Sequence, residues 1–166
     1  LVDLLGLPSS WRLDEGPGGG VIQMSASDST HLSLAVARHQ FELSGADANS
    51  LVAYGSSQAH SSIEKGARIA GFKHIRSVPV TQTFGIDADA FAQIVRDDID
   101  SGLIPAWVCS AVGTTNTTAM DPIRAIASIA TKNGMWHHAD AAYAGSAMIC
   151  PEFRELQDGV ELVDSY

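Results

Sequence analysis

The stretch WHHADAAYAGSAMICPEF, Trp136 to Phe153, decides how this chain is read. An apolar run ends in an aspartate and gives way to small residues, a tyrosine and a glycine. Alternation along the run sets His138 and Asp140 on one strand face and His137 and Ala139 on the other. A carboxylate at the end of a buried strand can simply cap a turn. It can also meet a positive charge that the chain does not supply. The small residues Ala141, Ala142 and Gly145 would then let a flat ring lie close to the backbone.

Upstream of that stretch, short apolar runs alternate with amphipathic ones. An opening helical scrap (LVDLLGLPSSW) leads into the Gly/Pro loop EGPGGGVIQ, Glu15 to Gln23. The segment SASDSTHLSLAVARHQFEL reads as a helix behind Ser/Thr/Asp caps. SLVAYGSS (Ser50 to Ser57) predicts a buried strand, SSIEKGARIAGF a helix and IRSVPV a second strand. DADAFAQIVRDDIDSG predicts a helix with Asp87 at its start and Gly102 after its end. A strand over PAWVCSAV (Pro105 to Val112), the polar loop GTTNTTAMD and a helix opened by Pro122 and closed by Gly134 follow. MWHHADAA is the next strand. Strands alternating with helices predict an α/β fold with a mostly parallel sheet and helices on both faces. No repeat, low-complexity tract or domain break interrupts the pattern.

The bulk numbers narrow the class. At 166 residues the chain has the length of one domain, and 45% hydrophobic with 17% charged residues is a globular composition. A net charge of −9 without a clustered Lys/Arg run argues against nucleic acid and anionic membranes as partners. No apolar run approaches the ~18 residues that span a bilayer. Cys109 and Cys150 lie in apolar surroundings without zinc spacing, so both are expected as reduced core thiols of a cytoplasmic protein. The chain opens on Leu1 inside an amphipathic pattern and closes on GVELVDSY without a turn signal. That reads as a piece of a larger fold.

In parallel sheets ligands bind beyond the carboxyl ends of the strands. Polar residues collect at four such junctions: SASDST, SSQAHSS, GTTNTT and DAAYAG. The helix start at Ser25, Ala26 and Ser27 offers free N–H groups and a positive dipole end, either a plain N-cap or a phosphate site. The preceding glycines do not form G-x-G-x-x-G. His60, where a strand ends and a helix begins, is a surface cap or a residue for ring stacking or proton transfer. The hydroxyls of Thr114 and Thr115 could bond a planar ligand or cap their loop. His138 and Asp140 lack a third ligand at metal spacing, so no metal is expected. A carboxylate facing a protonated heterocyclic nitrogen keeps that nitrogen charged and makes the ring an electron sink, the way a pyridoxal cofactor is tuned.

GPGGGVIQ, SSQAHSSIEKGARIAG, GLIPAWVCSAVGTT and HADAAYAGSAMICPEFR together resemble the group II pyridoxal-phosphate decarboxylases, most of all the aromatic-L-amino-acid decarboxylases. The resemblance is collinear across nearly the whole chain. It implies a fold type I, aminotransferase-like large domain, with residues 1–166 as an incomplete pyridoxal 5'-phosphate-binding domain, and a homodimer. The activity it implies for the complete protein is decarboxylation of an aromatic amino acid, such as tyrosine, dopa, tryptophan or phenylalanine, to the amine and carbon dioxide. By motif, Ala26 and Ser27 resemble part of the phosphate cup, and His60 the catalytic histidine that stacks on the cofactor ring. Thr115 resembles a cofactor-contacting threonine, Asp140 the partner of the ring nitrogen, and Ala142 a residue packed against the ring.

Three departures accompany the likeness. Met24 stands where a smaller residue is expected, and Ala139 where valine is usual. The family's Schiff-base lysine follows Pro-His, and neither Lys65, Lys73 nor Lys132 does. The resemblance places that lysine, and the C-terminal small domain, outside these residues, so the piece alone is expected to be inactive. Aromatic aldehyde synthases, other group II amino-acid decarboxylases and an inactive truncated chain are the competing readings.

Overall fold

The computed structural model describes residues 1–166. Its elements follow the predicted alternation: α1 (Val2–Leu5), α2 (Ala26–Leu43), β1 (Leu51–Ser56), α3 (Ser62–Ile69), β2 (His74–Val78), α4 (Ala88–Asp100), β3 (Ile104–Ala111), α5 (Ile123–Lys132) and β4 (Trp136–Asp140). Five short 3-10 segments, Ser9–Trp11, Ala48–Ser50, Gly145–Ile149, Pro151–Gln157 and Val160–Leu162, complete the set.

Local chemistry explains several of the boundaries. Ser25 caps α2, its Oγ accepting the Asp28 N–H at 3.2 Å while its hydroxyl donates to Asp28 Oδ2 at 2.8 Å. Asp87 caps α4 by accepting the N–H groups of Asp89 and Ala90, both at 3.0 Å. Gly102 and Gly134 follow α4 and α5 with φ of 80° and 66°, a backbone conformation a side chain resists.

The four strands are all parallel, in the order β2-β1-β3-β4. Every residue of β1 is buried, as expected of a strand covered on both faces. The register against β3 shifts between Val52 and Ala53, opposite Pro105. Proline has no N–H for the ladder, and a bulge absorbs the missing bond. On one face α2 and α3 bring Leu34, Ala37, Ile63 and Ala67 against Trp107 and Cys109. On the other, α4 and α5 bring Phe91, Val95, Ile126 and Ala130 against Tyr54 and Val108. A third cluster, including Val112, Ile123, Met148 and Val163, closes the β4 side.

From β1 the chain passes through α3 to β2, then returns through α4 to β3 on the other side of β1. The strand order thus reverses between β1 and β3. At such a switch point the outgoing loops part and leave a crevice at the carboxyl ends of the strands. One expectation fails. Cys109 is buried in the core, but Cys150 is exposed. It lies between two 3-10 segments at the surface, where an apolar local sequence has no helix or strand to cover it.

Candidate functional site

The crevice is a cleft of about 260 Å³. All six residues singled out from the sequence line it: Ala26, Ser27, His60, Thr115, Asp140 and Ala142. They come from four separate junctions. The N-terminus of α2 supplies Ala26 and Ser27, the β1–α3 turn His60, the β3–α5 loop Thr115, and the residues at and after the end of β4 Asp140 and Ala142.

At the α2 end, the Ser25 hydroxyl is occupied with Asp28. The N–H groups of Ala26 and Ser27, as the first of the helix, have no carbonyl four residues back within it. They present a partial positive charge, and no lysine or arginine lines the cleft beside them. Opposite in character is the end of β3 and β4, where Asp140 and Asp121 line the same space. Asp140 Oδ1 accepts the Ala142 N–H at 3.1 Å, which fixes the carboxylate and leaves Oδ2 without a partner in the chain.

Asp121 was not foreseen as a site residue. Its Oδ1 accepts the Ile86 N–H at 2.8 Å and its Oδ2 the Ala111 N–H at 2.7 Å, so one carboxylate ties the turn before α4 to the end of β3. Burial raises its pKa, against the two N–H bonds that lower it. The Asp-Pro step Asp121–Pro122 marked a helix start in the sequence, but nothing local showed that its side chain would turn inward. Ser62, Cys109, Gly113 and Tyr143 were likewise missed. Burial, then the charges of Asp140 and Asp121, push the Cys109 thiol well above its ordinary value, so it is a poor nucleophile.

The two threonines separate. Thr114 is buried, shares a 2.7 Å hydrogen bond with Thr117 and accepts the Ala119 N–H at 3.1 Å, so it caps its loop. Thr115 is exposed on the cleft wall. His138 turns away from chemistry: it is buried, stacked on Trp107 with centroids 6.1 Å apart, and its Nδ1 lies 2.8 Å from Ser165 Oγ. Lys65, Lys73 and Lys132 are exposed and none lines the cleft.

The cleft therefore suits a ligand that carries both an anionic group and a protonated nitrogen. An ideal Cβ on Gly113 would stand 2.7 Å from Tyr143 Cδ1, so the backbone there is as close to its neighbours as it can be. These features fit pyridoxal phosphate, which carries both groups.

A parallel sheet with this order and a cleft at its switch point is the frame of the fold type I pyridoxal enzymes. The chain belongs to the pyridoxal-dependent decarboxylase family, whose conserved-domain model matches residues 1–166. It is 44% identical to an aromatic-L-amino-acid decarboxylase of Catharanthus roseus over 99% of this chain and 34% of that protein. It is 43% identical to a phenylacetaldehyde synthase of Arabidopsis thaliana over 98% of this chain and 34% of that one. The crystal structure of Oryza sativa TDC with PLP and tryptamine superposes with a TM-score of 0.93 at 42% identity, covering 98% of this chain and 35% of its own. The chain thus spans about a third of the length of the curated relatives it matches.

Proposed function

We propose that the protein carrying this chain is a pyridoxal-phosphate-dependent decarboxylase of aromatic L-amino acids, and that residues 1–166 form part of its cofactor-binding large domain. The observation that carries this reading is that one cleft is lined both by the free N–H groups at the start of α2 and by the fixed carboxylate of Asp140. Pyridoxal phosphate, when bound, withdraws electrons from the substrate carbon as carbon dioxide leaves.

The chain's own residues serve that chemistry in distinct ways. The N–H groups of Ala26 and Ser27, with the Ser27 hydroxyl, hold the phosphate without a neutralising cation. Asp140, held by Ala142 N–H, accepts a hydrogen bond from the ring nitrogen and keeps that nitrogen protonated. His60, from the β1–α3 turn, would flank the ring, Ala142 would pack against it, and Thr115 would offer it a hydroxyl. Since no lysine lines the cleft, these residues bind and tune the cofactor but do not anchor it covalently, and residues 1–166 alone are expected not to turn over substrate.

A second reading has a specific support: the aldehyde synthase is as similar to this chain as the decarboxylase. It yields an aldehyde in place of the amine. A homodimer is proposed with either, supported by the exposed apolar side chains Val21, Ile22 and Met24 on one loop. A cytoplasmic location agrees with two free cysteines, and no helix is long and apolar enough to cross a membrane. The test is to incubate the purified full-length protein with pyridoxal phosphate and each aromatic amino acid, and to measure amine, aldehyde and hydrogen peroxide. Amine alone, lost in Asp140→Ala, supports decarboxylation; aldehyde with peroxide supports the second reading. Wild-type protein that shows no cofactor absorbance and no product would overturn both.

A further inference from the structure

The start of α3 is capped in an unusual way. Its N-cap residue, Ser61, makes no side-chain hydrogen bond to the helix. The first N–H groups of a helix still need acceptors. His60 provides one: the Ser62 N–H donates to His60 Nδ1 at 3.2 Å, and Ser62 Oγ lies 3.0 Å from the same nitrogen.

A backbone N–H can only donate. Nδ1 must therefore be the lone-pair nitrogen, and the neutral ring carries its proton on Nε2. With Nδ1 an acceptor, the Ser62 hydroxyl serves as a second donor to it. Ser62 is only 4% exposed, so water competes little for that hydroxyl. Nε2 has no partner in the chain, and the ring stands on the wall of the cleft.

We propose that Ser62 is a positioning residue that holds His60 in the Nε2–H tautomer, so that the imidazole offers the cleft a hydrogen-bond donor and not a base. For Nε2 to take up a proton in the neutral ring, the existing proton would first have to move to Nδ1, where the Ser62 N–H stands in the way. The donor suits an oxygen of the amino-acid substrate. Only that identification of the ligand rests on the proposed decarboxylase site; the tautomer is a property of the chain itself.

The test is the 15N spectrum of the histidine side chains in purified protein without added cofactor, at alkaline pH, with the His60 signals assigned from His60→Asn. Wild-type protein should show a hydrogen-bearing Nε2 and a lone-pair Nδ1. Ser62→Ala, which keeps the backbone donor and loses the hydroxyl, should shift the tautomer ratio about fivefold toward Nδ1–H. Ser62→Thr should restore it. A proton on Nδ1 in the wild type, or a Ser62→Ala spectrum identical to wild type, overturns the proposal. In turnover, Ser62→Ala should raise KM for the amino acid only in proportion to the lost Nε2–H fraction, by less than about twofold while that tautomer predominates, without a fall in kcat. A fall in kcat at constant KM would overturn the donor role. Failure of the wild type to bind pyridoxal phosphate would count against the decarboxylase reading alone, because the tautomer is read without cofactor.

Discussion

His137 Nε2 lies 2.8 Å from Ser110 Oγ, and both side chains are sealed from solvent between β3, β4 and the helices over them. A serine beside a histidine resembles a nucleophile and its base, yet no substrate can reach this pair. His137 Nδ1 is buried with no partner at all. Its consequence is for stability, and it joins that of its neighbour His138.

Burial, and secondarily the proximity of His138, lower the pKa of His137 from 6.5 to about 3. Burial lowers His138 to about 4, although Asp140 and Ser165 pull it the other way. Both rings are thus neutral in the folded protein while their unfolded counterparts protonate below about pH 6.5. Their contribution is full above pH 6.5 and is lost as pH falls from there towards the folded values. The slope reaches at most about 2.7 kcal/mol per pH unit when both take part. Urea midpoints should be constant between pH 7 and 8 and drop clearly by pH 5. An unchanged midpoint at pH 5 would show that these rings are not held neutral.

Asp121 should matter for folding before it matters for chemistry. Asp121→Ala strips acceptors from two N–H groups, those of Ile86 and Ala111, at a position 5% exposed. The expected cost is about 2–4 kcal/mol. Asp121→Asn keeps one acceptor but turns an NH2 group toward the other N–H, and should recover less than half of the loss. Denaturant unfolding of the two variants measures this directly; equal stability to wild type would mean that water replaces the carboxylate.

Gly113 is constrained twice over. Its φ is 88°, and a Cβ there would meet Tyr143 Cδ1 at 2.7 Å and Ala144 Cβ at 3.2 Å. Gly113→Ala should cost about 1–3 kcal/mol and weaken cofactor binding, since the loop carrying Thr115 moves with it. Adding Tyr143→Ala relieves the clash but not the backbone strain, so the double variant should recover only part of the loss. Full recovery would assign the whole effect to the ring contact.

Far from the cleft, Asp98 is buried between Tyr54 and Arg76. It accepts from Tyr54 Oη at 2.9 Å and from Arg76 Nη2 at 2.6 Å. Burial, then Asp98, raises the Tyr54 pKa above its ordinary value, so the phenol keeps its proton and acts as the donor. Arg76→Met leaves Asp98 with one neutral partner and should cost about 3 kcal/mol, whereas Tyr54→Phe should cost about 1 kcal/mol. Cofactor affinity, followed by absorbance, should be unchanged in both. A loss of affinity would show that this cluster communicates with the cleft.

Adjacent residues carried most of the fold. The caps at Ser25 and Asp87, the glycines after α4 and α5, and the switch between strand and helix periodicity all act over a few positions, so they are legible along the chain. The family motifs are similarly compact, and they brought Ala26, Ser27, His60, Thr115, Asp140 and Ala142 to attention together. Their placement around one cleft follows from the parallel sheet, which sends every strand's carboxyl end to the same edge.

Contacts between segments distant in the chain are a different matter. Asp121 reads as a loop residue until β3 and the turn at Ile86, 35 positions away, present their N–H groups to it. Cys150 reads as core until the surface path of the 3-10 segments leaves it uncovered. His60 shows its position in the sequence but not its proton, which depends on where the first N–H of α3 points. Periodicity and caps are encoded within a turn or two of chain; burial and hydrogen-bond partners are set by which segments the sheet brings together, and a linear pattern does not contain that information.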